Sequence, residues 1–250
     1  MDYVMQEILK IMTVTVLAFA AGIVQSISGF GNAIVMMLGF PSVFGITEAA
    51  AVSGSIGAAN NVTLTLKYKK GISAKSIRKT IWIAAIYTTT SILIINFTKY
   101  INVRTIGVAY GVFLILLAGY FVFLDGKVKL LGWFWLIFSA LISGIGTGLF
   151  SIGGPLLAVY FSQIFAERDE YISNLQLVFF IGGIISFVTR IATGIYTLDM
   201  VKYSIAGIVA AYAGSLFGMK LVSVIKPKIV RTIMYALVLV AGIMTLTKYL

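Results

Sequence analysis

The 250 residues contain no cysteine and no histidine. That absence excludes disulfides, thiol relays, haem ligation by imidazole, the usual zinc sites and any nucleophile activated by a histidine. Carboxylates are scarce as well: Asp2, Glu7, Glu48, Asp125, Glu167, Asp169, Glu170 and Asp199 are the full set. All of them fall near the ends of apolar runs, which leaves no buried pair for acid–base chemistry. Ser26 and Ser143 stand near glycines, but without histidine a serine enzyme needs a Ser–Lys dyad, and no lysine lies deep in an apolar run. The expectation is a protein that is not an enzyme and holds no metal or cofactor. The first residues carry Asp2 and Glu7 and no cluster of Lys or Arg, so no cleaved signal peptide is expected.

Charged residues make up only 11% of the chain and hydrophobic ones 60%, which excludes a water-soluble domain. The apolar runs exceed the roughly 20 residues that a helix needs to cross a bilayer. They also lack the two-residue alternation of a barrel. The chain therefore reads as an all-α, multi-pass protein of the cell membrane, with the lipid bilayer as its surroundings. Its net charge of +11 sits in short links between apolar spans, a distribution that suits an anionic leaflet and not a nucleic acid.

Spans are expected over 8–27, 48–66, 81–97, 101–124, 132–150, 171–191 and 200–222, with a last one ending at Lys248. Two shorter segments follow glycine breaks. One begins after Ser28-Gly29-Phe30-Gly31-Asn32, reaches Phe40 and the punctuation of Pro41, and as a broken crossing covers Asn32–Phe44. The other begins at Gly153-Gly154-Pro155 and ends at Phe165. Lys67, Lys69, Lys70, Lys75, Arg78 and Lys79 form the densest cationic link. With the link at 226–231, it is placed in the cytoplasm by the rule that positive loops stay inside, so loops 67–80 and 226–231 are expected there.

Sliding the chain by 122 residues lays Gly22, Ile23, Gly31 and Glu48 on Gly144, Ile145, Gly153 and Glu170. At that offset the cation-rich link of the first half meets a poor loop of the second, and the reverse holds for the next pair. Swapped charge implies inverted halves, and inversion requires an odd number of crossings in each. The expected architecture is two inverted-topology repeats, 1–124 and 132–250, joined by a cytoplasmic linker at 125–131. It has eight long transmembrane helices plus one short broken helix per half, and both termini outside. The competing reading has re-entrant loops, eight true spans and parallel halves.

A helix that starts mid-membrane presents unsatisfied N–H groups and about half a positive charge, a natural place for an anion. Gly29, Gly31, Gly153 and Gly154 allow close approach and positive φ, and Pro155 suits a first helical turn. Gln25, Ser28, Asn32, Ser53, Thr147, Ser151, Asn174 and Gln176 offer neutral hydrogen bonds nearby. These thirteen residues are the candidate substrate site. Glycines in membrane helices also serve close packing, and buried hydroxyls often bond back to their own helix. Glu48 and Glu170 are the candidates for proton coupling, with capping of their own helices as the other role. Arg190 reads as an interface anchor, with attraction of substrate at the outer mouth as its alternative.

Gln25 followed by Gly29-Phe30-Gly31 resembles the first signature of the TauE/SafE, or sulfite exporter, family of membrane permeases. Gly144-x-x-x-Gly148 leading to Gly153-Gly154-Pro155 and Tyr160-Phe161 is similar to its second. Ala213-Gly214, Gly218, Leu221, Lys228 and Arg231 are similar to its closing pattern. The resemblance covers nearly the whole chain. It implies a secondary transporter that moves a small sulfur-containing or organic anion such as sulfite, a sulfonate or sulfoacetate, driven by the proton gradient. One departure stands out: the first half has Asn32-Ala33 where the second has Gly154-Pro155. The alternatives are a carrier of another small solute, such as a carboxylate, and a non-transporting scaffold. Monomer and homodimer are both open.

Overall fold

A computed structural model describes residues 2–123, 132–221 and 227–250. The expected linker at 125–131 and the start of the second basic link, Lys226, lie outside the described residues. Among those residues the chain is helical without strands: α1 Asp2–Ser28, α2 Asn32–Phe44, α3 Ile46–Tyr68, α4 Ala74–Thr98, α5 Val103–Phe123, α6 Trp133–Phe150, α7 Gly154–Ile164, α8 Arg168–Ala192, α9 Val201–Leu221 and α10 Pro227–Tyr249.

Six stretches are long and apolar enough to cross a membrane: α1, α4, α5, α6, α8, and α9 with the turn before it. With 13 and 11 residues, α2 and α7 are too short. At 1.5 Å per residue they reach roughly 20 and 16 Å, against about 30 Å of hydrocarbon. With 23 residues α3 is long enough, yet it is not among the six. Its polar and small residues face protein: Ser53, Ser55, Asn60 and Asn61 are all buried. In α10 the stretch assessed as apolar is Tyr235–Tyr249.

The first broken segment is helical over the expected Asn32–Phe44, with Pro41 inside α2. A proline inside a helix has no N–H for the carbonyl four residues back, here that of Met37. The buried Tyr110 hydroxyl donates to that carbonyl at 2.8 Å, so α5 supplies the hydrogen bond that the helix lacks. The helix expected from Ile81 starts at Ala74. Ser73 caps it: its Oγ accepts from Ser76 N at 3.1 Å, while Ser76 Oγ accepts from Ser73 N at 3.0 Å. Arg78 and Lys79 thus ride on α4 rather than in a link.

The main helix partnerships come in matching sets. Helix α1 packs along α9 and α6 along α4; α3 lies against α8, α5 against α10, α4 against α8 and α3 against α9. Small residues permit the closest of these. A Cβ on Gly218 would lie 2.8 Å from Ile23 Cα, and one on Gly144 would lie 2.7 Å from the Tyr87 carbonyl oxygen. Helix ends meet in a consistent way. Tyr203, at the start of α9, donates to Glu7 at the start of α1, and Lys202 pairs with the same carboxylate. Arg104, at the start of α5, donates to the carbonyls of Tyr249 and Leu250 at the end of α10. The start of α8 meets the end of α3 through a bond from Ser173 Oγ to Tyr68 O.

Candidate functional site

Both short helices begin where the chain leaves its preceding helix through a left-handed residue. In the first half Gly29 has φ 82° and Gly31 φ 96°. In the second the left-handed residue is Ser151, with φ 58°, and Gly153 has φ −111°. Gly29 and Ser151 are 122 positions apart, as are the residues that start the short helices, Gly31 and Gly153. The sequence-based role of Gly153 is therefore corrected: it is needed for space rather than for φ. A Cβ there would overlap Thr147 Oγ1 and lie 2.7 Å from the Ser143 carbonyl oxygen. Ser151 accepts a conformation that disfavours a side chain. Its Oγ donates to Ala50 O at 2.6 Å, and the bonds Ser151 N to Thr147 O and Ile152 N to Gly146 O close the end of α6.

Between the starts of α2 and α7 lies a cavity of about 70 Å³. On this measure about 10–15 Å³ holds one water, so there is room for a small solute. Of the expected site, Gln25, Gly31, Asn32, Ser53, Thr147, Ser151, Gly153, Gly154 and Pro155 line it. Neither short helix is capped by a side chain at its start, and in α7 Pro155 has no N–H to satisfy. The apolar part of the wall includes Phe30 and Phe179.

Four expected residues do not line the cavity. Ser28 Oγ bonds the carbonyls of Val24 and Phe30, stitching the turn. Gly29 offers its carbonyl to Gln176 Nε2 at 2.7 Å, which places both behind Gln25. Asn174 faces elsewhere, accepting from Thr80 at 2.7 Å and donating to Glu170 O at 2.8 Å, where it ties α8 to α4. Glu48 and Glu170 stand in the first turns of α3 and α8 and are also absent from the lining.

The lining contains one charge, and it is Arg190. The reading of Arg190 as an interface anchor is overturned: the residue is 1% exposed. Its Nη2 donates to Thr147 O at 3.0 Å and to Gly148 O at 2.9 Å, meeting the negative end of α6. Its Nε and Nη1 have no partner among the described residues. No carboxylate is among the residues that line this cavity. A buried guanidinium stays charged and is costly without a counter-charge, so the cavity is electrostatically prepared for an anion.

Around Gln25 the polar groups form a neutral, directed network. Gln25 Nε2 donates to Asn61 Oδ1 at 2.6 Å and to Gln176 Oε1 at 3.2 Å. Gln25 Oε1 accepts from Asn32 Nδ2 at 2.6 Å and Asn60 Nδ2 at 2.7 Å. Ser215 Oγ donates to Asn60 Oδ1 at 2.7 Å. The network joins α1, α2, α3, α8 and α9 and leaves Asn32 Oδ1 and Ser53 Oγ unpartnered.

A family model described as sulfite exporter TauE/SafE matches residues 14–245, nearly the whole chain. The chain belongs to the TauE/SafE family. Neither the curated proteins nor the solved structures include a match to it. Membership implies a membrane transporter of sulfur anions. The TauE/SafE glycine motifs divide by role here. Gly31, Gly153 and Gly154 build the cavity wall, whereas Gly144, Gly148, Gly214 and Gly218 let α6 approach α4 and α9 approach α1. The sequence reading did not place Arg190, Tyr87, Asn61, Gly54, Gly57 and Ser186 in the site, though all line the cavity. A signal for Arg190 was present: it is the sole cation between Arg168 and Lys202, and an ionisable residue within a span is a functional candidate.

Proposed function

We propose that this protein is a secondary transporter that carries a small sulfur-containing anion such as sulfite across the cytoplasmic membrane by alternating access. The observation that carries this reading is Arg190, a buried guanidinium with two unpartnered donor nitrogens in a carboxylate-free cavity between two helix starts. A free guanidinium N–H gives an oxyanion oxygen a charge-assisted hydrogen bond, and helix N-termini add to the positive potential.

The matched helix partnerships, α1 with α9 and α6 with α4, support two halves related by a pseudo-twofold axis that passes between α3 and α8. The meeting of helix ends supports a bundle with 67–80 and 226–231 on the cytoplasmic face. The strongest packing crosses between the halves. Motion therefore falls to the helices that border the cavity, α2, α3, α7 and α8, sliding on the α1–α9 and α4–α6 pairs. Proton coupling is part of the reading that family resemblance supports. Glu48 and Glu170 stand at helix starts, from which they would act on closure rather than touch the anion.

Thermal stabilisation tests the site, because a ligand that binds the folded state raises its apparent stability. Sulfite is expected to raise the Tm of purified protein, with acetate as the carboxylate comparator. In Arg190→Gln the affinity should fall about a hundredfold, the loss typical of truncating one partner of a buried charge pair. Equal stabilisation of wild type and Arg190→Gln would remove the anion site from this cavity.

A further inference from the structure

Backbone carbonyls fix the orientation of the amides around Gln25. The carbonyl of Gly29 can only accept, so Gln176 must present Nε2 to it and turn Oε1 toward Gln25. The carbonyl of Phe179 likewise takes Asn61 Nδ2, which turns Asn61 Oδ1 toward Gln25. With two acceptors on one side, Gln25 must donate there and accept on the other. Asn32 therefore has to give Nδ2 to Gln25 Oε1, and its Oδ1 is left without a partner. The asparagine at the start of α2 is thus held as an acceptor on a cavity wall, buried to 5% exposure.

Charge gives a second, independent constraint. One guanidinium and no carboxylate line the cavity, so one negative charge is balanced and a second would be buried uncompensated. A bare dianion with only acceptor oxygens fails on both counts: it carries one charge too many and has nothing to give Asn32. A sulfonate monoanion meets the charge but leaves Asn32 Oδ1 unsatisfied.

We infer that the cavity binds its anion as a small protonated monoanion, hydrogen sulfite among the sulfur oxyanions, with an oxygen on a free N–H of Arg190 and the acid O–H on Asn32 Oδ1. This rests on the anion reading of the same cavity. Ser53 Oγ, also unpartnered, can serve any remaining lone pair. A proton then travels on the substrate itself, and no carboxylate in the site is needed to carry it. The other titratable group on the wall is the Tyr87 phenol, which exchanges a hydrogen bond with Thr147 Oγ1 at 2.8 Å. Phenols and guanidinium groups ordinarily titrate at about 10 and above 12, so neither changes charge between pH 6 and 9. The groups around Asn32, namely Gln25, Asn60 and Gln176, do not titrate.

The experiment is calorimetric titration of purified full-length protein with sulfite, sulfate and methanesulfonate at pH 6 and pH 9. The second ionisation of sulfite lies between these limits. The expected result is sulfite binding at pH 6 that weakens by at least about tenfold at pH 9, following the protonated fraction. Methanesulfonate and sulfate should bind more weakly than sulfite at pH 6, and methanesulfonate affinity should not depend on pH. In Asn32→Leu the preference for sulfite over methanesulfonate should shrink; if that variant does not fold, the wild-type panel decides alone. Sulfite binding equally tight at both pH values, or sulfate binding as tightly as sulfite, overturns the protonated-monoanion inference and leaves the anion site standing. No binding of any of the three overturns the anion reading itself.

Discussion

Arg190 and Asn32 show how two side chains of opposite character share one small cavity. The guanidinium comes from near the end of α8 and spends Nη2 on the open carbonyls of α6, which orients its other donors. The asparagine is oriented through Gln25 by carbonyls on other helices. Gly54 and Gly57 of α3 keep the space beside them free. A Cβ on Gly54 would lie 2.9 Å from Ser151 Oγ and 3.9 Å from Arg190 Nε, whereas one on Gly57 would meet nothing within 4 Å. Gly57→Ala therefore separates folding from binding. Alanine is favoured over glycine in a helix by up to about 1 kcal/mol, so the Tm of the unliganded protein should hold or rise. The new methyl group takes room from a cavity with little to spare, and sulfite affinity should fall about tenfold by calorimetry. An unchanged affinity would show that the anion does not reach this part of the wall.

At the scale of helices, the short α2 and α7 owe their starts to local chain chemistry, and that much was legible in the sequence. Gly29-Phe30-Gly31 and Gly153-Gly154-Pro155 were readable as breaks because glycine and proline punctuate apolar runs. The extent of the first segment, Asn32–Phe44, was legible too; how a helix tolerates Pro41 was not, since a proline normally ends or kinks a helix. The helix survives because a tyrosine 69 positions later supplies the missing donor, a contact with no local signature. Tyr110→Phe leaves the buried Met37 carbonyl unpaired. The expected cost is about 1 kcal/mol, between the average for hydrogen bonds within membrane proteins and the penalty for a buried unsatisfied group. Restoring the backbone donor with Pro41→Ala should reduce that cost, which a thermal double-mutant cycle reads directly. Additive effects of the two substitutions would contradict the account of α2.

For the molecule as a whole, composition excluded a soluble domain and histidine- or cysteine-based chemistry, and the long unalternating apolar runs excluded a barrel. The glycine motifs pointed to a family whose model matches residues 14–245. Nine of the thirteen expected site residues line one cavity, because a shared break geometry brings both halves' glycines to the same place. Arg190 went unplaced because charge near a predicted segment end normally marks the interface, and only the packing of α8 against α3, α4 and the end of α6 shows it buried. Asn174 was drawn in by its type and its nearness to Gln176, yet it turns toward α4, as a helix carries residues two apart to different faces. The polar character of α3 has the same origin: a helix that lines a site surrounded by protein has little need of the apolar surface by which spans are recognised.

The central claim is that anions cross the membrane through the Arg190 cavity. Sulfite flux into proteoliposomes tests it most directly, comparing wild type, Arg190→Gln and protein-free vesicles under an imposed pH gradient. The account predicts saturable flux in wild type that the pH gradient drives, with loss to near the protein-free level in Arg190→Gln while that variant remains folded. Flux that is linear in sulfite, or equal in wild type and Arg190→Gln, would contradict it.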